Sequence, residues 1–226
     1  MVGHPSARRG IFLNAVLFAN GVIENTERAL KAAESADLVI AADGGARHCL
    51  RLGVTPELVV GDLDSLDDVD RRTLEAGGTE FIVHPPNKDQ TDLELALLAA
   101  VAREAKTITV LGAMGGRLDM TVANVLLLAL PGLSEARVEL WHGDQTAWLI
   151  RPPGGTLRGE SGDIVSPIPL GGEAQGVTTR GLEYVLEGQT LEFGPARGVS
   201  NVIVGPSSQI ELHAGALLVV HTPDAP

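Results

Sequence analysis

The chain has 226 residues, of which 44% are hydrophobic, and this length is sufficient for one large core or two modest ones. Its 29 acidic residues outnumber its 17 lysines and arginines, and the formal net charge of −12 argues against nucleic acids and anionic membrane surfaces as partners. A single cysteine, Cys49, excludes an intrachain disulfide, and no apolar run approaches the ~20 residues of a membrane span, so we expect a cytoplasmic protein.

Between residues 10 and 150, apolar runs of strand length alternate with helical patterns. The predicted strands run from Ile11 to Ala19, Leu38 to Ala42, Leu58 to Val60, Glu80 to Val83, Ile108 to Leu111 and Val138 to Trp141. The predicted helices run from Thr26 to Ser35, Ala46 to Leu52, Asp67 to Ala76, Thr91 to Glu104 and Asp119 to Leu130. The strands are continuously apolar, as is typical of strands covered on both faces. This half therefore predicts an α/β domain, an open parallel sheet with helices on both faces.

A Pro-Pro-Gly-Gly segment at residues 152–155 ends this pattern, and residues 151–226 show short alternating runs separated by Gly and Pro. The predicted strands here run from Ile164 to Ile168, Gly176 to Thr179, Thr190 to Phe193, Val199 to Val204, Gln209 to Leu212 and Leu217 to His221. They predict a small all-β domain, a sandwich or a barrel. Because so short a segment buries only a thin core, we expect this domain to pack on its neighbour or on a second subunit.

Acidic residues gather where predicted strands of the first half end. Asp43 follows one strand, Asp62 and Asp64 follow the next, and Asp92 opens the helix after the fourth. Because the carboxyl ends of parallel strands meet at one edge of a sheet, these carboxylates are candidate ligands for Mg²⁺ carrying a nucleotide polyphosphate. Alternate residues of an extended chain project to the same side, so Asp62 and Asp64 could reach one ion together. Each acid also has an ordinary interpretation as a turn, capping or helix-dipole residue.

Glycines and two cations accompany these acids. Gly44-Gly45 would let the backbone approach a ligand, although a tight turn needs glycine equally. Gly115-Gly116 would present backbone N–H groups to an oxyanion, and Arg117 would bind phosphate bidentately. Lys88 lies near the acid that opens the fourth helix, where it would contact polyphosphate. Asn124 lies in an otherwise apolar helix and predicts a buried polar contact, either to ligand or to protein.

Several common motifs are absent from the sequence. No G-x-x-x-x-G-K-[ST] segment occurs, which excludes the usual phosphate-binding loop, and no G-x-G-x-x-G opens the first helix. There is also no G-x-S-x-G nucleophile elbow. The strand-end acids with Arg117 therefore form the predicted site.

Four segments occur in a fixed order along the first half. They are residues 42–46 (A-D-G-G-A), 56–65 (P-E-L-V-V-G-D-L-D-S), 88–92 (K-D-Q-T-D) and 115–124 (G-G-R-L-D-M-T-V-A-N). Together they resemble the motifs of the thiamine pyrophosphokinase family. Residues 181–186, 198–201 and 215–219 resemble the C-terminal strands of that family, so the resemblance covers nearly the whole chain beyond the first ten residues.

The resemblance implies an N-terminal α/β domain that binds MgATP and a C-terminal β-sandwich that binds thiamine. It also implies a homodimer whose thiamine pocket lies between the α/β domain of one subunit and the sandwich of the other. The implied metal ligands are Asp43, Asp62, Asp64 and Asp92, and the implied catalytic residues are Asp62, Asp64, Asp92 and Arg117. The predicted nucleotide-binding residues are Asp43, Gly44, Gly45, Lys88, Gly115, Gly116, Asp119 and Asn124. Ser200 and Asn201 would contact thiamine.

The implied reaction moves the diphosphoryl group of ATP to the hydroxyl of thiamine, giving thiamine diphosphate and AMP. Charge stabilisation and in-line positioning would supply most of the rate, with a carboxylate of the site accepting the hydroxyl proton. Met120 stands where the family usually has histidine, which leaves open a pyrophosphokinase for another hydroxymethyl heterocycle such as a pterin. A non-catalytic nucleotide-binding regulator is the alternative from a different class, and the full set of acids with Arg117 argues against it.

Overall fold

The structure, a computed structural model, describes residues 13–224. The strands are β1 (Leu13–Phe18), β2 (Leu38–Ala42), β3 (Leu58–Gly61), β4 (Glu80–Val83), β5 (Ala105–Leu111), β6 (Arg137–His142), β7 (Gln145–Ile150), β8 (Gly154–Leu157), β9 (Ile164–Pro169), β10 (Ala174–Arg180), β11 (Gln189–Leu191), β12 (Asn201–Val202), β13 (Ser208–Glu211) and β14 (Leu217–Thr222). The α-helices are α1 (Thr26–Ser35), α2 (Ala46–Leu52), α3 (Asp68–Ala76), α4 (Asp92–Ala102) and α5 (Leu118–Leu126). Short 3-10 turns occupy Asp43–Gly45, Leu127–Ala129 and Pro131–Leu133. The predicted start of the first strand, Ile11 and Phe12, lies outside the described residues.

Side-chain caps fix where several helices begin. Asn25 accepts a hydrogen bond from a backbone N–H in the first turn of α1, as Asp67 does for α3 and Thr91 for α4. The helix predicted to end at Glu104 ends earlier, because Glu104 has a left-handed φ of +66° and β5 begins at the next residue. Within residues 13–224, no helix combines the length and the apolarity that a membrane crossing requires.

The large sheet has ten strands in the described part of the chain, in the order β12-β9-β14-β7-β6-β5-β1-β2-β3-β4. From β6 to β4 all neighbouring strands are parallel. Ala15 and Leu17 of β1 lie in a core with α4, whereas Val16 and Phe18 lie in a second core with α1, α2 and α3. The alternating residues of one strand thus serve two helical layers, and the predicted parallel sheet with helices on both faces is confirmed.

The small sheet, in the order β11-β10-β13-β8, is antiparallel and packs on the β7-β14-β9 end of the large sheet. Trp148, Val165 and Val219 from the large sheet share one core with Val177 and Ile210 from the small sheet. This arrangement is the predicted sandwich. One of its two layers continues the large sheet, because β14 pairs with β7.

The largest differences from the sequence-based prediction concern three strands. The prediction omits β7, although Gly143, with a φ of +55°, forms a tight turn that joins it to β6. It also treats Gly154 and Gly155 as a break, whereas they begin β8 and pair with β13. The strand predicted from Val199 to Val204 is reduced to β12, because Ser200 has a left-handed φ of +60°.

Candidate active site

Three of the predicted acids meet at the edge of the large sheet. One carboxylate oxygen from each of Asp43, Asp62 and Asp92 lies within 4.8 Å of the other two, and we call these residues the acidic cluster. Asp43 begins the turn after β2, Asp62 directly follows β3, and Asp92 is the first residue of α4. Among the described residues, this is the one group of three or more His, Cys, Asp or Glu ligand atoms compact enough to hold a metal ion.

The backbone around the acidic cluster is unusual at three positions. A Cβ atom at Gly61 would lie 2.8 Å from the Cβ of Asp43 and 3.2 Å from Asp92 Oδ1, so a side chain there would fill the space between the acids. Asp43 and Leu63 adopt left-handed φ values of +42° and +65°, which are strained for residues other than glycine. Both residues are buried, and packing holds them in these conformations. Strain that the fold maintains in this way is typical of functional sites.

The left-handed turn at Leu63 separates Asp62 from Asp64. Because the chain is not extended there, the expectation that the two carboxylates project to the same side is wrong. Asp64 is exposed, accepts a hydrogen bond from Ser65 Oγ at 3.2 Å, and lies outside the acidic cluster. Its backbone N–H donates to Asp62 Oδ1 at 3.2 Å and so helps to orient that carboxylate. A metal-binding or catalytic role for Asp64 stays a prediction.

Lys88 supplies a cation to the acidic cluster. Its Nζ lies 2.9 Å from Asp92 Oδ1 and 3.8 Å from Asp62 Oδ2, and its side chain is only 11% exposed. Burial by itself would lower the pKa of Lys88, but the hydrogen bond to Asp92 and the charges of the three acids outweigh it and raise the pKa. The ammonium group is therefore charged at neutral pH.

The donor atoms of the acidic cluster fit a hard divalent cation. Asp43 Oδ1 is buried without a hydrogen-bond partner among residues 13–224, and such an atom is costly unless a ligand satisfies it. Three carboxylates and one ammonium sum to a charge of −2, which one divalent cation neutralises. Carboxylate oxygens are also the ligands that Mg²⁺ prefers in proteins. The residues present therefore fit Mg²⁺.

The acidic cluster lines a cleft of about 600 Å³. Gly115, Gly116 and Arg117 from the turn after β5 also line it, as do Met120 and Asn124 of α5. The buried Asn124 donates from Nδ2 to the backbone carbonyl of residue 113 at 2.7 Å, whereas its Oδ1 has no partner. The polar contact predicted for Asn124 is thus made to protein through the nitrogen. A cleft of this size and chemistry can accept a polyphosphate together with part of a second substrate.

Arg117 and Asp119 form an exposed ion pair at the start of α5. Their side chains make two hydrogen bonds, Nη2 to Oδ2 at 2.5 Å and Nε to Oδ1 at 3.1 Å. These hydrogen bonds raise the pKa of Arg117 and lower the pKa of Asp119. Arg117 lines the cleft and Asp119 does not, so a role for Asp119 in nucleotide binding stays a prediction.

Most of the glycines predicted for ligand approach are packed against the chain itself. A Cβ at Gly44 would lie 2.4 Å from Asn20 Nδ2, and one at Gly45 would lie 1.9 Å from a backbone carbonyl at the end of β1. A Cβ at Gly115 would overlap a neighbouring valine side chain, at 2.6 Å. Gly116, with a φ of +87°, would meet nothing within 4 Å. Internal packing therefore explains why Gly44, Gly45 and Gly115 lack a side chain, although Gly115 also lines the cleft.

Asn20 and Gln90 are polar cleft residues that the sequence-based prediction did not include in the site. Asn20 comes just after β1, at the same edge of the sheet as the acids, and this position was the available signal. Gln90 lies between Lys88 and Asp92 in the loop before α4, and its residue type alone gave no signal.

Ser200 and Asn201, predicted to contact thiamine, do not line the cleft of their own chain. Asn201 is 2% exposed, and its Oδ1 accepts hydrogen bonds from the backbone N–H groups of Tyr184 and Val202, both at 2.9 Å. Its Nδ2 donates to the carbonyl of Tyr184 at 2.8 Å. The Asn201 amide is thus used inside the protein. Ser200 donates its backbone N–H to Ser166 Oγ at 3.0 Å.

Large apolar side chains near Asn201 are exposed. Tyr184, Val185, Val199 and Val204 are between 45% and 63% accessible to solvent. Tyr184 is joined to Asn201 by the hydrogen bonds described above, and Val199 and Val204 flank β12 in the chain. Exposed apolar groups that gather in this way are typical of interaction surfaces.

Known proteins resemble this chain in sequence and in fold. The family model of the thiamin pyrophosphokinase catalytic domain matches residues 29–140 of this chain. The family model of the thiamin pyrophosphokinase vitamin B1 binding domain matches residues 156–217. Thiamine pyrophosphokinase of Bacillus subtilis (strain 168) is 28% identical over 189 residues, covering 83% of this chain and 88% of that protein. Thiamine pyrophosphokinase 3 of Oryza sativa subsp. japonica is 25% identical over 212 residues, or 82% of this chain and 78% of that protein. A crystal structure of the Bacillus subtilis protein shares the fold, with a TM-score of 0.82 and 23% identity over 94% of this chain and all of that one.

Proposed function

This chain belongs to the thiamine pyrophosphokinase family, and on that basis we propose that it transfers the diphosphoryl group of ATP to the primary hydroxyl group of thiamine. The products are thiamine diphosphate and AMP. One observation carries the proposal: the acidic cluster and Arg117, which belong to the segment that matches the catalytic-domain model, line a single cleft. The match of the second half to a vitamin B1 binding domain supports thiamine as the acceptor.

We assign the metal of this reaction to the acidic cluster. Asp43, Asp62 and Asp92 would hold Mg²⁺, and Asp64 is the further ligand that the sequence predicts. Bound there, Mg²⁺ would join the polyphosphate to the protein and neutralise charge on the transferred group. The buried and unpartnered Asp43 Oδ1 supports this assignment.

Other side chains of the cleft would bind phosphate and move the proton during the transfer reaction. Arg117 exchanges its hydrogen bonds with Asp119 for bonds to phosphate oxygens and stabilises the charge that develops during transfer. The oxygen of the thiamine hydroxyl attacks the β-phosphorus of ATP, and AMP leaves. A carboxylate of the acidic cluster accepts the proton of that hydroxyl. Asn124 Oδ1, which has no partner in the described part of the chain, offers an acceptor at the same cleft.

We further propose that residues 10–150 form the MgATP-binding domain and that residues 151–226 bind thiamine and form a homodimer in the cytoplasm. Ser200 and Asn201 do not line the cleft of their own chain, so a thiamine site that includes them needs a second subunit. The exposed apolar side chains around Asn201 offer a surface for that subunit. Burial of apolar surface on association would stabilise the thin sandwich.

The reaction is tested by incubating the protein with MgATP and thiamine and separating the nucleotides by chromatography. We expect AMP and thiamine diphosphate in equal amounts. ADP as the main product would contradict diphosphoryl transfer. AMP formed with a hydroxymethyl pterin but not with thiamine would keep the transfer chemistry and overturn the acceptor.

The homodimer is tested by its mass and by complementation. Light scattering at micromolar concentration should give twice the chain mass. Asp62→Asn removes a metal ligand, and Ser200→Arg places a cation where cationic thiamine should bind. Mixing the two inactive variants should restore part of the activity, because one site of the mixed dimer then has both native residues. A monomeric mass, or a mixture no more active than its components, would exclude the shared site.

A further inference from the structure

We propose that Lys88 is the internal counter-ion of the metal-free site and that a divalent cation displaces its ammonium group when it binds. Metal binding and release of Lys88 are then one exchange reaction. This inference rests on the metal site of the proposed function. It gives a role to Lys88, which is not one of the proposed metal ligands.

The distances place the ammonium among the prospective ligands. Lys88 Nζ lies 2.9 Å from Asp92 Oδ1 and 3.8 Å from Asp62 Oδ2, so it bridges two of the three carboxylates. The third, Asp43, keeps a buried oxygen without a hydrogen-bond partner. One oxygen from each of the three carboxylates lies within 4.8 Å of the other two, so a cation held by these oxygens would lie close to the ammonium group.

Charge and size make simultaneous occupancy unfavourable. Mg²⁺ binds carboxylate oxygens at about 2.0–2.1 Å, closer than the ammonium approaches Asp92 Oδ1. A divalent cation at those oxygens would face the ammonium across a few ångströms in a site where water screens poorly. The side chains of Lys88 and Asp62 are only 11% and 13% exposed. Lys88 must therefore leave Asp92 when the metal arrives.

The released ammonium has a use in the same cleft. Lys88 belongs to the loop between β4 and α4, and both Lys88 and its loop neighbour Gln90 line the cleft. A polyphosphate bound there offers the ammonium new oxygen partners. Phosphate oxygens would replace the carboxylate partners that Lys88 loses when the metal binds. Metal and polyphosphate should therefore each strengthen the binding of the other.

The exchange is tested by the binding of Mn²⁺ without nucleotide, with free Mn²⁺ measured by electron paramagnetic resonance. Lys88→Met removes the charge and nearly keeps the side-chain length, and Lys106→Met is the matched control at an exposed lysine of β5. We expect Lys88→Met to bind Mn²⁺ at least about tenfold more tightly than the wild type, because the competing charge is gone. Lys106→Met should bind as the wild type does. Inorganic tripolyphosphate should tighten Mn²⁺ binding more in the wild type than in Lys88→Met.

A second measurement uses the wild-type side chain and does not depend on how the variant folds. The chain has three lysines, Lys31, Lys88 and Lys106, so lysine labelled with ¹³C at Cε gives three signals, assignable with Lys31→Arg and Lys106→Arg. Addition of Mg²⁺ should shift the Lys88 signal alone.

The outcomes separate this inference from the proposed function. An Mn²⁺ affinity that is unchanged or weaker in Lys88→Met would overturn the exchange and keep the metal site. The same conclusion would follow if the wild type binds Mn²⁺ but Mg²⁺ does not shift its Lys88 signal. Failure of both proteins to bind Mn²⁺ would overturn the exchange and the metal site together.

Discussion

Two buried aspartates, one in each half of the chain, have the same exposure and opposite surroundings. Asp43 and Asp163 are each 8% exposed. Asp163 accepts hydrogen bonds from the backbone N–H groups of Glu160 and Asp224, at 2.8 and 2.9 Å, and lies 2.7 Å from His221 Nε2. Asp43 Oδ1, by contrast, has no hydrogen-bond partner among the residues that the structure describes. Burial alone therefore does not distinguish the two acids, whereas the number of hydrogen bonds that each accepts does.

The same contrast distinguishes other polar groups of the two halves. In the sandwich, Thr179 Oγ1 accepts from the backbone N–H of Leu186 at 2.9 Å, and Asn201 uses both ends of its amide. In the cleft of the α/β half, Asn124 and Asp43 each keep an oxygen without a partner. These buried polar groups of the sandwich are thus hydrogen-bonded within the protein, whereas two in the cleft each keep an oxygen without a partner among residues 13–224.

The largest expected effect is on activity, in Asp43→Asn. Loss of a ligand to a catalytic metal should lower the rate of AMP formation on the order of 10²-fold or more. Folding should be unaffected, because the variant removes one of three close negative charges and breaks no hydrogen bond of Oδ1. The measurements are AMP formation at saturating Mg²⁺ and thermal unfolding without metal. A variant that unfolds easily yet turns over normally would show that Asp43 resembles Asp163 after all.

A second test of the α/β half compares Asp62 with Asp64, which the turn at Leu63 separates. We expect Asp62→Asn to lose activity on the order of 10²-fold, as expected for Asp43→Asn. Asp64→Asn should lose a similar factor if Asp64 joins the metal site, as the sequence predicts. Asp68→Asn is the matched control, because Asp68 is an exposed acid of the same loop and helix. Normal turnover of Asp64→Asn at saturating Mg²⁺ would restrict the site to the acidic cluster.

In the sandwich, Asp163→Asn should change stability and leave activity at the wild-type rate. Burial alone would raise the pKa of Asp163, but the hydrogen bonds from Asp224, Glu160 and His221 outweigh it and lower the pKa. The folded state therefore stabilises the charged form of Asp163. This contribution to the free energy of unfolding is fully present above the pKa of about 3.9 in the unfolded chain, and it is lost as the pH falls through the lower pKa in the folded protein. We expect a loss of about 2 kcal/mol at pH 6, measured by urea unfolding. The difference from the wild type should shrink below about pH 4.

The smallest expected effects concern the neighbours Ser200 and Asn201. Ser200→Gly removes the strain of a φ of +60° and should raise the free energy of unfolding by about 0.5–1 kcal/mol. Asn201→Ala removes the side-chain partners of the Tyr184 backbone N–H and carbonyl groups. This variant should lower the free energy of unfolding by about 1–2 kcal/mol. Chemical unfolding of both variants measures the changes. Equal stability of the two would mean that the Asn201 amide does not hold the sandwich.

Local signals were sufficient to predict many elements. The predicted bounds of α1, α2, β2 and β4 equal the observed ones, because caps, glycines and apolar runs act within a few residues. The start of α4 followed from Thr91, whose side chain caps the helix as the Thr-x-x-Glu pattern indicates. By contrast, β8 exists through its pairing with β13, more than fifty residues away, and its Gly-Gly start resembles a loop.

The sequence by itself determined the family, the α/β class and the placement of acids at strand ends, since motifs and hydrophobic periodicity lie along the chain. Only the tertiary structure decided which acids meet. Asp43, Asp62 and Asp92 converge, while the left-handed Leu63 turns Asp64 outward and internal hydrogen bonds occupy Asn201. A side chain points where its backbone dihedrals and its neighbours direct it, and those neighbours come from strands that are distant in the sequence.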